Sequence, residues 1–463
     1  MLISRYVVKL FHKPSIAIFL FESKFARKTL SPETSLALAS VRKIIGRYED
    51  DHKVVDVFSK YHSKELAESF FALSRLQRAF EWNLNKMENK ANISSFDFFG
   101  SNNKYINANS HPKLIDDLAH YSVFASVAYG WKFGLAFQGR FRLGNVKTLA
   151  HRTGISENDV IFAQWTSSTH RPAFYIVRDH QRKNIVLTVR GTLTASDVLT
   201  DLCATTEYFY SGEDGSEQAE SRASLHLRPC RIGRAHQGML EGARGVAKTA
   251  RSIVEQELNH LPDYNLVVVG HSLGGGVASV LAALWKEVFP GVVAYSFGSP
   301  CVFPEETDEW LCNSIYSVVG EGDPFSKLSL GHVADLSQGI SFLCEDEMLR
   351  KEILSRSKGP IEELDDANIQ WLYKTMNRML KRMSRELFYP PGRILLMRGV
   401  RKDASKEVTL QVVDRAHFNV LTLHPKMFDL TQHVPGRYEN ELRHLWNEYK
   451  KQENFDPKQM STG

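Results

Sequence analysis

The chain has 463 residues, more than one typical domain, so a main domain with an accessory region is expected. Hydrophobic residues make up 43% and charged residues 24%, which excludes a wholly disordered chain and one wholly embedded in a membrane. The net charge of +5 is too diffuse to indicate nucleic-acid binding, although it permits attraction to an anionic lipid surface.

The cysteines and the N-terminal segment indicate in which cellular compartment the protein is expected. The five cysteines lack the paired spacing of a zinc site or a disulfide framework, which favours a reducing setting. Residues 5–28 are basic and contain short apolar runs, a pattern of organelle transit segments, of basic membrane-surface helices and of frayed termini. We take the frayed terminus as the first interpretation. The apolar run Ser15–Phe21 is too short to span a bilayer, and no segment reaches about 18 uncharged apolar residues; the absence of a clean signal peptide disfavours secretion.

Residues 1–105 are predicted to form an all-helical accessory region. The run Ser31-Pro32-Glu33 has a capping serine followed by proline at the first helical position, and helical spacing continues to about Met87. The main domain is expected over residues 106–445, and residues 446–463 form a polar tail.

The main domain begins with a helix from Leu114 to about Tyr129, followed by a hairpin-like pair of strands, 173–177 and 185–189. The turn after the second strand contains Gly191 and Thr192. It can present the amide and hydroxyl of Thr192 as oxyanion donors, or it is an ordinary strand-end turn. Residues 204–233 are predicted to be a flexible acidic loop, and residues 239–258 a helix.

The segment 265–289 contains a β-branched strand, the motif Gly-His-Ser-Leu-Gly over residues 270–274, and a long apolar helix. A serine at such a strand-to-helix turn is strained and exposes its hydroxyl at the C-terminal edge of a sheet, while the next amide, that of Leu273, faces the same space. Ser272 is therefore the candidate nucleophile and Leu273 a candidate oxyanion donor. A glycine-rich turn without chemistry is the alternative.

Strands follow at 292–297 and 315–319, and their alternation with helices predicts a mainly parallel sheet flanked by helices. The second of these strands opens into Gly322-Asp323-Pro324 at the edge where Ser272 is expected. Asp323 is therefore the best candidate for an acid that orients a histidine, although Gly-Asp-Pro is also a common turn.

Residues 334–391 interrupt this alternation as an insertion. It contains an amphipathic helix with basic residues on one side and Ile369, Leu372 and several methionines on the other. Such a helix packs on a protein core more often than it lies at a membrane surface or caps an apolar pocket. The last strands are predicted at 394–397 and 408–413. A general base is expected late in the chain, where His417, His424 and His433 remain open.

Several blocks together resemble the class 3 lipases, and within them the sn-1-specific diacylglycerol lipases, over roughly residues 114–438. The most specific blocks are Ala128-Tyr129-Gly130-Trp131, residues 185–202, residues 236–239, residues 268–276 and Gly322-Asp323-Pro324. The resemblance implies an α/β-hydrolase fold with a catalytic triad of Ser272, Asp323 and a late histidine. It also implies Thr192 and Leu273 as the oxyanion pair.

The resemblance selects among the late histidines and adds a lid. Relatives have the catalytic histidine between a methionine and a proline, as His433 is here, although the aspartate that usually precedes it is Gln432; His424 is the weaker rival. Residues 196–202 resemble the short lid helix of relatives, and the residues expected to line a substrate groove are Leu193, Val198, Leu199 and Phe297.

The sequence thus predicts a serine hydrolase that cleaves acyl esters of glycerolipids and needs neither a metal nor an organic cofactor. A phospholipase A1, a monoacylglycerol lipase and a catalytically silent lipase-like interaction protein are the alternatives. The chain shows no counterpart of the transmembrane helices of diacylglycerol lipases. We therefore expect a cytoplasmic protein that associates peripherally with membranes or lipid droplets, with organelle targeting by its N-terminus left open.

Overall fold

The structure is a computed structural model that describes residues 60–90, 105–106, 111–130, 144–192, 206–212, 231–422 and 430–453, except 169, 309–310, 312, 324, 384–385 and 403–404. Its contacts divide the chain into two compact units. The first unit contains residues 1–102, 330–386 and 419–428, and the second contains residues 103–329, 387–418 and 429–463. The N-terminal region and most of the predicted insertion therefore fall in one unit.

The described strands are β1 (Tyr105–Ile106), β2 (Val160–Gln164), β3 (Phe174–Asp179), β4 (Asn184–Val189), β5 (Thr206–Tyr210), β6 (Ile232–His236), β7 (Asn265–His271), β8 (Val293–Phe297), β9 (Ile315–Gly320), β10 (Arg393–Lys402) and β11 (Ser405–Val412). The described helices are α1 (Ser63–Lys90), α2 (Pro112–Val127), α3 (Asn145–Thr153), α4 (Gln237–His260), α5 (Leu273–Trp285), α6 (Glu305–Asp308), α7 (Leu330–Glu345), α8 (Glu347–Arg356), α9 (Asp366–Leu380) and α10 (Pro435–Glu453). Single 3-10 turns lie at Glu157–Asp159, Phe325–Lys327, Ile361–Glu363, Arg415–Phe418 and Leu430–His433.

The second unit is built on one sheet with the strand order β1-β11-β10-β9-β8-β7-β4-β3-β2. Its central strands β4, β7, β8, β9 and β10 run parallel, whereas both edges are completed by antiparallel pairs. The predicted hairpin is confirmed, because β3 and β4 pair antiparallel with Asp179 opposite Asn184. The carboxyl ends of the central strands therefore meet at one edge.

Helices cover this sheet in two layers. From Leu266 to His271 every residue of β7 is buried without alternation, which is the pattern of a strand covered on both faces. α5 packs on β7 and β8 and carries α4, while α2 packs on β7 and β8 and carries α10. This arrangement confirms the predicted α/β-hydrolase fold.

Two details of this unit differ from the sequence prediction. The loop predicted over 204–233 is wrong at both ends, because β5 and β6 pair antiparallel as a separate two-stranded sheet. The β-forming run Thr206–Tyr210 buries Phe209 (0% exposed), and this burial outweighs the polar residues around it. In addition, α10 continues to Glu453, so the first residues of the predicted polar tail are helical.

The described part of the first unit is helical. α1 packs against α7, α8 and α9, and the ring of Phe80 in α1 stacks on that of Tyr373 in α9 at 5.2 Å. The apolar side of α9 is buried, with Ile369 3% and Leu372 0% exposed, so this side faces a core as the commoner alternative predicted. Among the described helices, none is both long and apolar enough to cross a bilayer.

Candidate active site

The nucleophile candidate lies where β7 turns into α5. Ser272 has φ 57° and ψ −132°, a left-handed conformation that is strained for a residue with a side chain. A Cβ at Gly270 would lie 2.1 Å from the carbonyl oxygen of Gly274, and a Cβ at Gly274 would lie 2.4 Å from that of Val189. Gly270 thus lets the end of β7 approach the start of α5, and Gly274 lets the start of α5 approach the end of β4; neither approach leaves room for a side chain, which is why the motif needs both glycines.

Two hydrogen bonds join Ser272, His433 and Asp323. The Oγ of Ser272 lies 2.7 Å from Nε2 of His433, and Nδ1 of His433 lies 2.8 Å from Oδ2 of Asp323. A carboxylate only accepts, so Nδ1 of His433 carries the proton and Nε2 is free to accept the hydroxyl proton of Ser272. The structure thus brings together three predicted residues from separate parts of the chain, in the tautomer that a general base requires.

Asp323 lies just beyond the carboxyl end of β9 and is 4% exposed. Burial alone would raise the pKa of its carboxyl group, but the attraction of His433 and hydrogen bonds from His433, Tyr438 and the Phe325 amide together hold that pKa below its ordinary value. The Phe325 amide donates to Oδ1 at 3.0 Å. Asp323 is therefore an ionised acceptor at neutral pH.

The imidazole of His433 is enclosed by apolar and backbone groups. The ring of Phe325 packs on it with centroids 4.2 Å apart, and a Cβ at Gly298 would lie 3.1 Å from its Cε1.

Phe297, expected in a substrate groove, has a buried side chain (1% exposed), and its carbonyl accepts from the Ser272 amide at 2.9 Å. Ser272 itself is 2% exposed, so its hydroxyl is shielded from solvent in this conformation.

The candidate oxyanion donors flank the serine. Leu273 is the first residue of α5, so its amide has no acceptor within the helix and lies at the positive end of the helix dipole. On the other side, a Cβ at Gly191 would lie 2.4 Å from the carbonyl oxygen of His271 and 3.3 Å from Cβ of Ser272. The turn that contains Thr192 therefore runs directly beside Ser272.

The structure adds a hydrogen-bonded pair that sequence reasoning missed. Nε2 of His271 lies 2.7 Å from the carbonyl oxygen of His433, and Nδ1 of His271 lies 2.8 Å from the hydroxyl of Tyr129. Burial, reinforced by repulsion from the His433 ring whenever that ring is protonated, holds the pKa of His271 well below its ordinary value, so its ring is neutral. Nε2 must then donate to the carbonyl and Tyr129 must donate to Nδ1, while Tyr129 accepts from the Gly191 amide. These bonds link the Gly191 turn to the backbone of His433.

Tyr438 in α10 is a second group that sequence reasoning missed. Its hydroxyl donates to Oδ2 of Asp323 at 2.5 Å and accepts from the Gly320 amide at 2.9 Å. Burial and the Asp323 carboxylate raise its pKa well above the ordinary value, so it remains a donor. Tyr129 belongs to a block that carries the family resemblance, and His271 lies within the serine motif, but no spacing rule assigned a contact to these two residues or to Tyr438.

Other predicted residues are placed elsewhere or are not described. His417 is 8% exposed and sits in the turn Arg415–Phe418, whereas His424 lies outside the described residues. The expected groove and lid residues Leu193, Val198 and Leu199 also lie outside them. Within the described ranges, no group of three or more histidine, cysteine or carboxylate side chains could hold a metal ion.

The chain is similar to known lipases. The pattern "Lipase (class 3)" matches residues 186–332, a span that includes Thr192, Ser272 and Asp323. Diacylglycerol lipase-beta of Mus musculus is 28% identical over 253 residues, covering 49% of this chain and 36% of that protein. Diacylglycerol lipase-alpha of Mus musculus is 22% identical over 354 residues, covering 64% of this chain and 32% of that protein.

The chain spans about a third of the length of these curated relatives. Among solved structures, the triacylglyceride lipase of Rhizomucor miehei aligns with a TM-score of 0.34 and 17% identity, covering 47% of this chain and 74% of that one. Residues 186–332 thus match the class 3 lipase family, and the chain is similar to the two diacylglycerol lipases of Mus musculus.

Proposed function

We propose that the protein is a serine hydrolase that cleaves acyl esters of glycerolipids, with diacylglycerol as the first candidate substrate. The observation that carries this proposal is the pair of hydrogen bonds, 2.7 and 2.8 Å long, that joins Ser272 to His433 and His433 to Asp323. The family match and the names of the two mouse relatives support glycerolipids as the substrate class.

In the first half of the reaction, Oγ of Ser272 attacks the ester carbonyl while Nε2 of His433 takes its proton. The carboxylate of Asp323 stabilises the resulting imidazolium and holds its orientation. The tetrahedral oxyanion then collapses, and His433 returns the proton to the departing glyceride oxygen. In the second half, water attacks the acyl-serine by the same route and releases the fatty acid.

The oxyanion that forms in both halves needs donors beside Ser272. The amide of Leu273 and the amide or hydroxyl of Thr192 are assigned this role because the first opens α5 and the second follows the turn packed on Ser272. Each such donor typically lowers the barrier by about 3 kcal/mol in a site shielded from water. The 2% exposure of Ser272 supplies that shielding and also means that covering groups must move before an ester can enter.

Comparison of Ser272→Ala with Ser279→Ala tests this proposal. Ser279 is a matched control, because it is buried in α5, the helix that follows Ser272, and its hydroxyl donates to the Gly275 carbonyl at 2.9 Å, a structural contact. With diacylglycerol in mixed micelles, Ser272→Ala should lower kcat by at least about 10³-fold and Ser279→Ala by less than about threefold. Retention of fatty-acid release by a folded Ser272→Ala variant would overturn the proposal.

The same assay with monoacylglycerol and phosphatidylcholine resolves the substrate head group. We expect diacylglycerol to give the highest kcat/KM. Preference for phosphatidylcholine would instead assign a phospholipase A1, and no Ser272-dependent release from any of these lipids would assign a catalytically silent protein.

A further inference from the structure

The outer side of α9 carries a dense group of cations. Lys374, Arg378, Lys381 and Arg382 are all exposed, the first two on the helix and the others at its C-terminal end. They recur at helical spacing on the side away from Ile369 and Leu372, within about 12 Å along the helix axis. We call these four residues the cationic face.

The apolar side of the same helix is already occupied. Met376 is 2% and Met379 5% exposed, so these side chains are packed in the first unit and not available to enter a bilayer. The helix therefore does not have the two accessible sides of a helix that inserts into a lipid interface. What it presents to solvent in its second half is charge.

This charge is not neutralised within the described structure. Near the start of the helix, Asp366 pairs with Lys86 at 2.6 Å, but among the described residues no ion pair involves the four members of the cationic face. Cations in the last helical turn are favoured by the helix dipole, which accounts for a positive charge at Arg378 and Lys381. That effect is confined to the last turn, so it does not account for Lys374, nearly two turns from the end of the helix.

We propose that the cationic face binds the anionic headgroup surface of a phospholipid bilayer by electrostatic attraction, without insertion of the helix. The choice of a bilayer as the partner rests on the proposed function, because a lipase acts on substrates held in such a surface. A basic side chain near an anionic surface strengthens binding about fivefold, so four of them suffice for a weak, salt-sensitive attachment.

Vesicle sedimentation of the full chain tests this inference. The patch variant replaces Lys374, Arg378, Lys381 and Arg382 with Gln. The control variant replaces four other exposed cations with Gln, namely Lys113, Lys147, Lys248 and Lys450, so both variants lose four positive charges. Binding is measured on phosphatidylcholine vesicles with and without phosphatidylserine, at about 0.1 M and about 1 M salt, where the screening length falls from about 10 to about 3 Å.

We expect the wild-type protein to bind only vesicles that contain phosphatidylserine, and to lose this binding at high salt. The patch variant should bind at least tenfold more weakly and the control variant within threefold of wild type. Equal binding by the two variants, or binding that is absent or indifferent to phosphatidylserine, would overturn the inference.

Turnover of a soluble p-nitrophenyl ester separates this result from the proposed function. The patch variant should retain wild-type kcat/KM on that ester, whereas Ser272→Ala should bind vesicles normally and lack turnover. A failed hydrolase proposal would thus leave the vesicle result intact, and a failed vesicle result would leave the hydrolase proposal intact.

Discussion

Replacement of Asp323 by Asn tests the electrostatic part of the site with minimal change of shape. In the wild-type protein Oδ2 accepts from His433 and Tyr438, and Oδ1 accepts from the Phe325 amide. An asparagine can accept on one side only. Its NH2 group must therefore face a donor in either orientation.

The two orientations bracket the expected loss of activity. If the amide oxygen faces His433, the tautomer is kept but the imidazolium loses its negative partner, which costs at least about 3 kcal/mol or about 10²-fold in kcat. If the NH2 group faces His433, the tautomer reverses, Nε2 can no longer accept the Ser272 proton, and the loss approaches about 10⁴-fold. We therefore expect kcat to fall between about 10²-fold and about 10⁴-fold.

Asp179→Asn provides the matched control. Asp179 is also a buried aspartate with a lowered pKa. Burial alone would raise its pKa, but hydrogen bonds from His120 at 2.7 Å and from the Arg182 amide at 3.1 Å lower it. It pairs with the start of β4, and β7 begins beside that point and ends at His271, next to Ser272, which places Asp179 about 25 Å from the serine. Asp323→Asn should lose about 1–3 kcal/mol of unfolding free energy because its NH2 group faces a donor, and Asp179→Asn should lose a similar amount because the hydrogen bond with His120 loses its charged partner.

The assay is hydrolysis of p-nitrophenyl butyrate under saturating substrate, with urea unfolding of each variant measured alongside. Only Asp323→Asn should lose activity. A kcat within threefold of wild type for Asp323→Asn, or equal losses for the two variants, would refute the assignment of Asp323.

Three further predictions address the supporting groups. Tyr438→Phe leaves the buried Gly320 amide unpaired and removes a donor to Asp323, so unfolding free energy in urea at pH 7 should fall by about 1–3 kcal/mol. His271→Gln removes a histidine whose pKa is lowered in the folded protein. Because of that lowered pKa, the wild type loses up to about 1.4 kcal/mol of unfolding free energy per pH unit as pH falls below about 6.5. The urea midpoint of the variant should therefore change less steeply between about pH 5 and 7. Gly274→Ala places a Cβ 2.4 Å from backbone and should abolish soluble expression or lower the melting temperature strongly.

Each of these has a contradicting result. For Tyr438→Phe, the pH dependence follows from the pKa of the Asp323 carboxyl group, which is lowered in the folded protein. The stability that this lowered pKa contributes is present above about pH 4 and is lost as pH falls. The deficit of the variant should therefore shrink on acidification, and a deficit that grows would contradict the account. For His271→Gln, a dependence of stability on pH as steep as that of the wild type would contradict the account. For Gly274→Ala, the contradicting result is a variant as stable as the wild type.

The strand-to-helix turn at Ser272 and the parallel strands could be predicted because their signals are local. Gly270 and Gly274 flank the serine within two residues on either side, and the run Leu266–His271 carries the apolar pattern of a buried strand. Asp323 could be predicted as the acid because the carboxyl ends of parallel strands meet at one edge of the sheet, where Ser272 also lies. By contrast, the late histidines could not be ranked from the residues, because which one meets Ser272 depends on how the chain after β11 returns to the sheet.

The supporting contacts escaped prediction for the same reason. Tyr129 and His271 are 142 positions apart, and Tyr438 and Asp323 are 115 apart, so no local periodicity connects either pair. The packing of α1 against α9 likewise joins segments almost 300 residues apart, and the chain between them gives no sign of it. Distant pairing of this kind is visible only once the fold is known.

Covalent labelling by a fluorophosphonate tests the central claim most directly, since such a probe reacts only with a serine whose proton has an acceptor in place. We predict stoichiometric labelling of the full chain, with the added mass on the peptide that contains Ser272, and loss of labelling in His433→Ala. A folded protein that takes up no probe, or that is labelled at another serine, would contradict the account.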